Sequence, residues 1–148
     1  MVGLINSEQM NIIRFFFPIL MLSSFAACGQ IGNHQHQPIR RMEYQKIESP
    51  LIQGAIQAWQ KADSTTWLSF FTPNPNLLDD GKTRDFHQFS TETIGKERFI
   101  SIDKVENNGL NIYGRLHSDT WGDFKTYFKF HVNATGKIDR LEIGQATY

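Results

Sequence analysis

The chain has 148 residues, with 15 basic against 15 acidic side chains and a formal charge of zero. That balance provides no basic surface for nucleic acid, and the length suits one domain with a respectable core. A single cysteine excludes an internal disulfide, while the 13% aromatic content asks for an explanation.

Near the N-terminus, Arg14 precedes Phe15-Phe16-Phe17-Pro18-Ile19-Leu20-Met21-Leu22, and Ser23-Ser24-Phe25-Ala26-Ala27 follows. A positive charge, a short apolar run and small residues are the parts of a secretory signal. Residues 15–25 number only 11, too few to span roughly 30 Å of hydrocarbon as a helix. Met10 makes a compact start, since residues 1–9 add Glu8 and no base. Phe25-Ala26-Ala27-Cys28 resembles the lipobox of bacterial lipoproteins, with Phe25 where Leu is more usual. The resemblance implies a signal peptide over residues 1–27, cleavage before Cys28, and lipidation of its thiol by palmitate or a related acyl chain. It also implies a membrane-anchored protein of the cell envelope. Gln30, two residues after Cys28, is not the Asp that favours inner-membrane retention, which points toward the outer membrane or cell surface.

Residues 28–48 read as a polar tether without an apolar period. His34 and His36 are expected to be solvated, because no carboxylate or cysteine accompanies them as further metal ligands. Arg40 and Arg41 could lean on anionic head groups, at about 1 kcal/mol each. Ser49-Pro50 is a paired helix start: the serine caps, and proline's missing N–H would have no partner there anyway. Ile52, Ala55, Ile56, Trp59 and Ala62 then mark one helical face, with Gln53, Gln57, Gln60 and Lys61 on the other. Asp63 or Ser64 caps a second short helix carrying Trp67, Phe70 and Phe71, which Pro73 stops. Residues 73–76 read as a turn, Leu77-Leu78 as a short strand, and Ser90 as the cap of one more helical turn ending at Gly95.

The second half reads as a meander. Residues 98–107 and 110–117 flank Asn108-Gly109, a hairpin signal because both positions tolerate positive φ. In residues 122–132, Phe124, Phe128, Phe130 and Val132 share one face, opposite Asp123, Lys125, Tyr127, Lys129 and His131. A turn at Ala134-Thr135-Gly136 leads to a last strand over 137–143, where Leu141 and Ile143 share a face. Helices followed by a curved antiparallel sheet predict an α+β domain over residues 49–148.

The order helix, helix, Leu77-Leu78-Asp79-Asp80-Gly81, short helix, meander resembles the nuclear transport factor 2-like superfamily, which includes SnoaL-like polyketide cyclases and ketosteroid isomerases. The segments Glu97-Arg98-Phe99, Ile102-Asp103-Lys104-Val105-Glu106-Asn107, residues 117–128 and Gly136-Lys137-Ile138 are similar to an uncharacterised bacterial branch of it. The resemblance implies a cone, in which the bent sheet wraps around helices and leaves an apolar cavity open at one end. Trp59, Trp67, Phe71 and Phe128 are the residues expected to line that pocket. The resemblance also implies dimerisation through the outer sheet face, where Ile100, Ile102, Tyr113, Tyr127 and Trp121 are expected. The fold alone does not select a function.

Asp79 falls where ketosteroid isomerases place their proton-abstracting carboxylate. Inside an apolar cone it would be desolvated, its pKa raised, and it could shuttle a proton. No Tyr lies between Leu51 and Phe71 to form the isomerases' oxyanion hole, although Trp59 or Trp67 could donate an N–H. The alternative makes Asp79-Asp80-Gly81 a solvated turn. Pairing across Asn108-Gly109 sets Val105 opposite Ile112 and Asp103 opposite Gly114. Asp103 then joins the inner face, unless a slip or bulge sends it outward. His117-Ser118-Asp119 are consecutive and so cannot form a nucleophilic relay. His87, His117 and His131 lie on three segments, and no metal site or cofactor is expected from them or from any phosphate loop. The expectation is a lipid-anchored domain that binds a small apolar ligand or partner. An isomerase, cyclase or dehydratase using Asp79 or Asp103 as general acid or base is the alternative.

Overall fold

A computed structural model of the chain describes residues 43–148; the expected signal segment, Cys28, His34, His36, Arg40 and Arg41 lie outside the described residues. The helical half follows from the capping chemistry. Helix α1 (Pro50–Gln60) starts where Ser49 Oγ accepts from Ile52 N at 3.4 Å, with proline in its first turn. Its Ile52, Ala55, Ile56 and Trp59 are buried. Ala62 is not part of that face: the helix has ended, and Ala62 turns the chain at a φ of 56°. Asp63 Oδ1 accepts from Thr66 N at 3.0 Å and so caps α2 (Ser64–Ser69). The packed region starts ahead of the Ser49 cap, at a 3-10 turn (Tyr44–Lys46) and Ile47, which is 3% exposed.

Two elements differ from the sequence reading. Pro73 does not end a helix, because β1 runs over Phe71–Asp79 with both prolines inside it. Its parallel register with β6 (Ile138–Gln145) breaks between Phe71 and Asn76. That break accommodates two residues with no N–H to give the ladder. Asp80 and Gly81, at φ of 47° and 79°, then turn β1 back into β2 (Lys82–Arg84). The third helix, α3 (Phe86–Thr93), begins five residues earlier than a Ser90 cap would place it. Asp85 Oδ1 caps it by accepting from Gln88 N at 2.6 Å. This start turns Phe86, Phe89 and Thr93 inward on one helical face.

Strands β3 (Glu97–Glu106), β4 (Asn111–Ser118), β5 (Gly122–Val132) and β6 form the meander, and the sheet order is β2-β1-β6-β5-β4-β3. Only the β1–β6 pair is parallel. Val105 pairs with Ile112 as the hairpin signal implies, but two bulges follow on β3. Ile102, not Asp103, pairs with Gly114, and Phe99 pairs with Leu116. Each bulge adds one residue and flips the faces beyond it. Ile102 and Phe99 are therefore buried, at 4% and 2% exposure, while Asp103 and Ile100 are pushed outward. Gly114 makes this possible: a Cβ there would run into the carbonyl oxygen of Ser101.

On β5 the inner side carries Thr126, Phe128 and Phe130; Val132, past a break in the β6 register, is 37% exposed and leaves that face. The helices pack on the concave side through aromatic rings. Trp59 sits 5.0 Å from Trp67, 5.6 Å from Phe89 and 5.7 Å from Phe128, while Phe71 lies 4.6 Å from Trp67. Among the described residues, eight aromatic side chains thus form the core of a sheet curled around three helices.

Candidate functional site

Beside that cluster the sheet and α3 enclose a cavity of about 630 Å³. Its placement follows from periodicity. Phe89, Glu92 and Thr93 lie at i, i+3 and i+4 on α3, and Phe124, Thr126 and Phe128 alternate along β5. Leu116 and Ile143 complete an apolar interior. The rim is polar, made by Asp79 and Asp80 at the β1–β2 turn, Arg84 on β2, Glu97 at the start of β3, and Trp121 on the β4–β5 turn. Trp121 is 79% exposed.

Arg84 ties the rim together. Its Nη1 donates to Asp79 Oδ2 and its Nη2 to Glu92 Oε2, each at 2.7 Å. The guanidinium lies 5.0 Å from the centre of the Phe89 ring, covering part of the cavity wall. Gln88 Nε2 also donates to Glu92 at 2.7 Å. These hydrogen bonds, from Gln88 first and Arg84 next, hold the Glu92 carboxyl below its usual range. Asp79 therefore lines the cavity, as the sequence suggested, but it is not an isolated carboxylate in an apolar cone. Its side chain is 32% exposed and ion-paired.

Glu97 meets that description more closely. It is half-buried on the cavity wall, and burial pushes its carboxyl above the ordinary value despite a hydrogen bond with Ser118. The nearest charges acting on it are opposed, Arg84 lowering and Asp79 raising. Sequence reasoning missed Glu97 as a site residue, though a signal existed: it stands two positions before Phe99 and shares its inward face. Arg84 was missed because the short strand β2 was not read from the sequence, and Glu92, although placed on the helical turn after Ser90, was not assigned a face toward the cavity.

Asp103 does not reach the cavity. It sits on the outer face, where Ser101 Oγ donates to Oδ1 at 2.7 Å and Tyr148 OH to Oδ2 at 2.8 Å. The Ser101 bond is the largest influence and draws its carboxyl down, the opposite of a desolvated base. Of the four aromatic pocket residues, Phe128 lines the cavity, whereas Trp59, Trp67 and Phe71 lie behind it in the closed core. Trp67 Nε1 is engaged by Ser90 Oγ at 3.1 Å, and Trp59 Nε1 is buried without a hydrogen-bond partner among the described residues. Neither indole is positioned as an oxyanion donor to the cavity.

The three histidines remain apart: His87 contacts Pro73 O, His117 contacts Asp123, and His131 contacts Glu142. Among the described residues, no three His, Cys, Asp or Glu side chains converge as metal ligands. Ile102 is absent from the outer face, and Tyr148 packs there against Tyr113, their ring centres 5.7 Å apart. The apolar surface on which dimerisation was expected is correspondingly smaller.

No family model matches the chain, and no curated protein matches it. Solved structures do. A nuclear transport factor 2-like protein of unknown function from Cytophaga hutchinsonii superposes with a TM-score of 0.53 at 11% identity, covering 65% of this chain and 87% of that one. A candidate polyketide cyclase from Sinorhizobium meliloti gives 0.54 at 14% identity, covering 66% and 97%. The orange carotenoid protein of Anabaena, whose structure holds canthaxanthin, gives 0.52 at 13% identity, covering 66% of this chain and 36% of that one. At such identities the likeness is one of architecture. With its helices cupped in a curved six-stranded sheet, this chain has the nuclear transport factor 2-like fold.

Proposed function

We propose that the domain binds a small, mainly apolar ligand in the cavity between α3 and the sheet, and that Cys28 carries a lipid anchor holding it at the cell envelope. The observation that supports binding most is the cavity itself. Its volume of about 630 Å³ falls within the roughly 300–1,000 Å³ typical of small-molecule sites, and it sets an apolar patch of Phe89, Leu116, Phe124, Phe128 and Ile143 against a polar, mainly acidic side. The Anabaena orange carotenoid protein, 36% of which this chain matches, binds canthaxanthin. The anchor rests on the sequence alone: the short apolar segment, the small residues and Cys28 in their order. Native mass spectrometry of the chain, purified without detergent, tests the binding reading. A stoichiometric adduct that disappears in Leu116→Trp, which fills the cavity, is the expected result. Protein free of adduct that also takes up no apolar small molecule on titration would overturn it.

A second reading is supported by Glu97. A desolvated carboxyl facing an apolar cavity has the chemistry of a general acid or base, and Asp79 stands across the rim as a second carboxylate. Under this reading the bound molecule undergoes proton transfer of the isomerase, cyclase or dehydratase type. Turnover abolished in Glu97→Gln, with ligand uptake retained, would separate the enzyme from the binder.

A further inference from the structure

The chain as a whole is neutral, yet its cavity is not. Asp79, Asp80, Glu92 and Glu97 line it against a single base, Arg84. That guanidinium is already divided between Asp79 and Glu92, at 2.7 Å from each. Asp80 Oδ1 is held by the backbone N–H of Gln145 at 3.0 Å. Glu97 has a hydroxyl for company but forms no ion pair among the described residues. The cavity therefore presents an apolar patch, a half-buried carboxyl that forms no ion pair among the described residues, and an exposed indole at the mouth.

We propose that the cavity selects an apolar molecule bearing one cationic amine, with the amine placed between Glu97 and the Trp121 indole and the apolar body against Leu116, Phe124 and Phe128. This inference rests on the cavity being the ligand site and adds the ligand's chemical class. An ammonium group would supply the counter-charge that Glu97 lacks, through a charge-assisted hydrogen bond strengthened by partial removal from water. The face of Trp121 attracts a cation for a different reason, the negative potential over its ring. A carboxylate ligand meets the reverse situation: the single base on the wall is already engaged by Asp79 and Glu92, and two further acids, Asp80 and Glu97, would face the incoming charge.

Three molecules of nearly equal shape distinguish the outcomes: 1-naphthylmethylamine, 1-naphthylmethanol and 1-naphthoate, each titrated calorimetrically into the full chain at pH 7. The amine should bind at least about tenfold more tightly than the alcohol, roughly 1.4 kcal/mol, and the naphthoate should bind weakest. Glu97→Gln should bring amine and alcohol to within about threefold of each other by weakening the amine. Equal affinities in the wild-type chain, or tighter binding of naphthoate, would overturn the charge selectivity and leave the cavity reading standing. Failure of all three to bind, together with adduct-free protein in native mass spectrometry, would remove the cavity reading and this inference with it.

Discussion

Glu97 shows how burial and charge set against each other at one position. Its carboxyl is raised by desolvation, so the folded chain holds its proton to a higher pH than the unfolded chain does. Between the unfolded value and the raised folded one, the native state binds more protons, and stability falls as pH rises. The penalty is complete above the folded pKa and vanishes below the unfolded one. Glu97→Gln should therefore leave the domain at least as stable as wild type at pH 7, with the difference closing toward pH 4. Thermal unfolding at both pH values checks this; a variant less stable at pH 7 would show that the ionised carboxylate is a structural anchor. Asp103 should behave in the other sense. Its depressed carboxyl, bonded first by Ser101 and then by Tyr148, contributes stability that is present at neutral pH and is lost as pH falls through its folded pKa. That behaviour belongs to a surface clasp and not to a catalytic base.

At the scale of elements, β3 decides what the cavity contains. Its hairpin was legible: Val105 faces Ile112, and Asn108 and Gly109 take positive φ, although Asn107 at 53° joins them and lengthens the turn. The two bulges were not legible, because each depends on a contact distant in sequence, the close approach of Gly114 to Ser101 O. Alternation along β5 survives for Phe128 and Phe130 because that strand is paired on both sides, which fixes its register. Phe128→Ala should thus cost about 3–5 kcal/mol through lost transfer energy and an added void. Lys129→Ala, one position along and turned outward, should cost less than about 0.5 kcal/mol. Denaturant unfolding of the pair checks the phase, and equal losses would contradict it. Gly109 supplies a second comparison. At a φ of 85° a Cβ would also stand 2.5 Å from Ser49 N and 3.0 Å from Glu48 N, against the cap of α1. Gly136, at 78°, meets nothing within 4 Å. Gly136→Ala should cost about 1–2 kcal/mol for the left-handed backbone alone, and Gly109→Ala measurably more; equal costs would mean the hairpin and the α1 cap do not touch.

For the whole molecule, two claims depend on different parts of the chain. The anchor claim concerns Cys28, the only cysteine. Cys28→Ala should abolish metabolic labelling by palmitate and leave the precursor unprocessed, whereas an unlabelled wild-type chain would end the claim. The α+β class and the helix-first order could be read from caps and alternation. A cavity was expected from the resemblance, with Asp79 and Phe128 in it, but the rest of its lining could not be read, because its residues come from α3, β1, β2 and all four meander strands. Only folding assembles Arg84, Glu92 and Glu97 around Phe89 and Phe128. That assembly is the central claim, and the measurement closest to it is calorimetric titration of 1-naphthylmethylamine into the wild-type chain and into Leu116→Trp, with circular dichroism confirming that the variant is folded. One-to-one saturable binding by the wild type, lost in the folded variant, is the predicted result; binding unchanged by filling the cavity would place the ligand elsewhere and contradict the account.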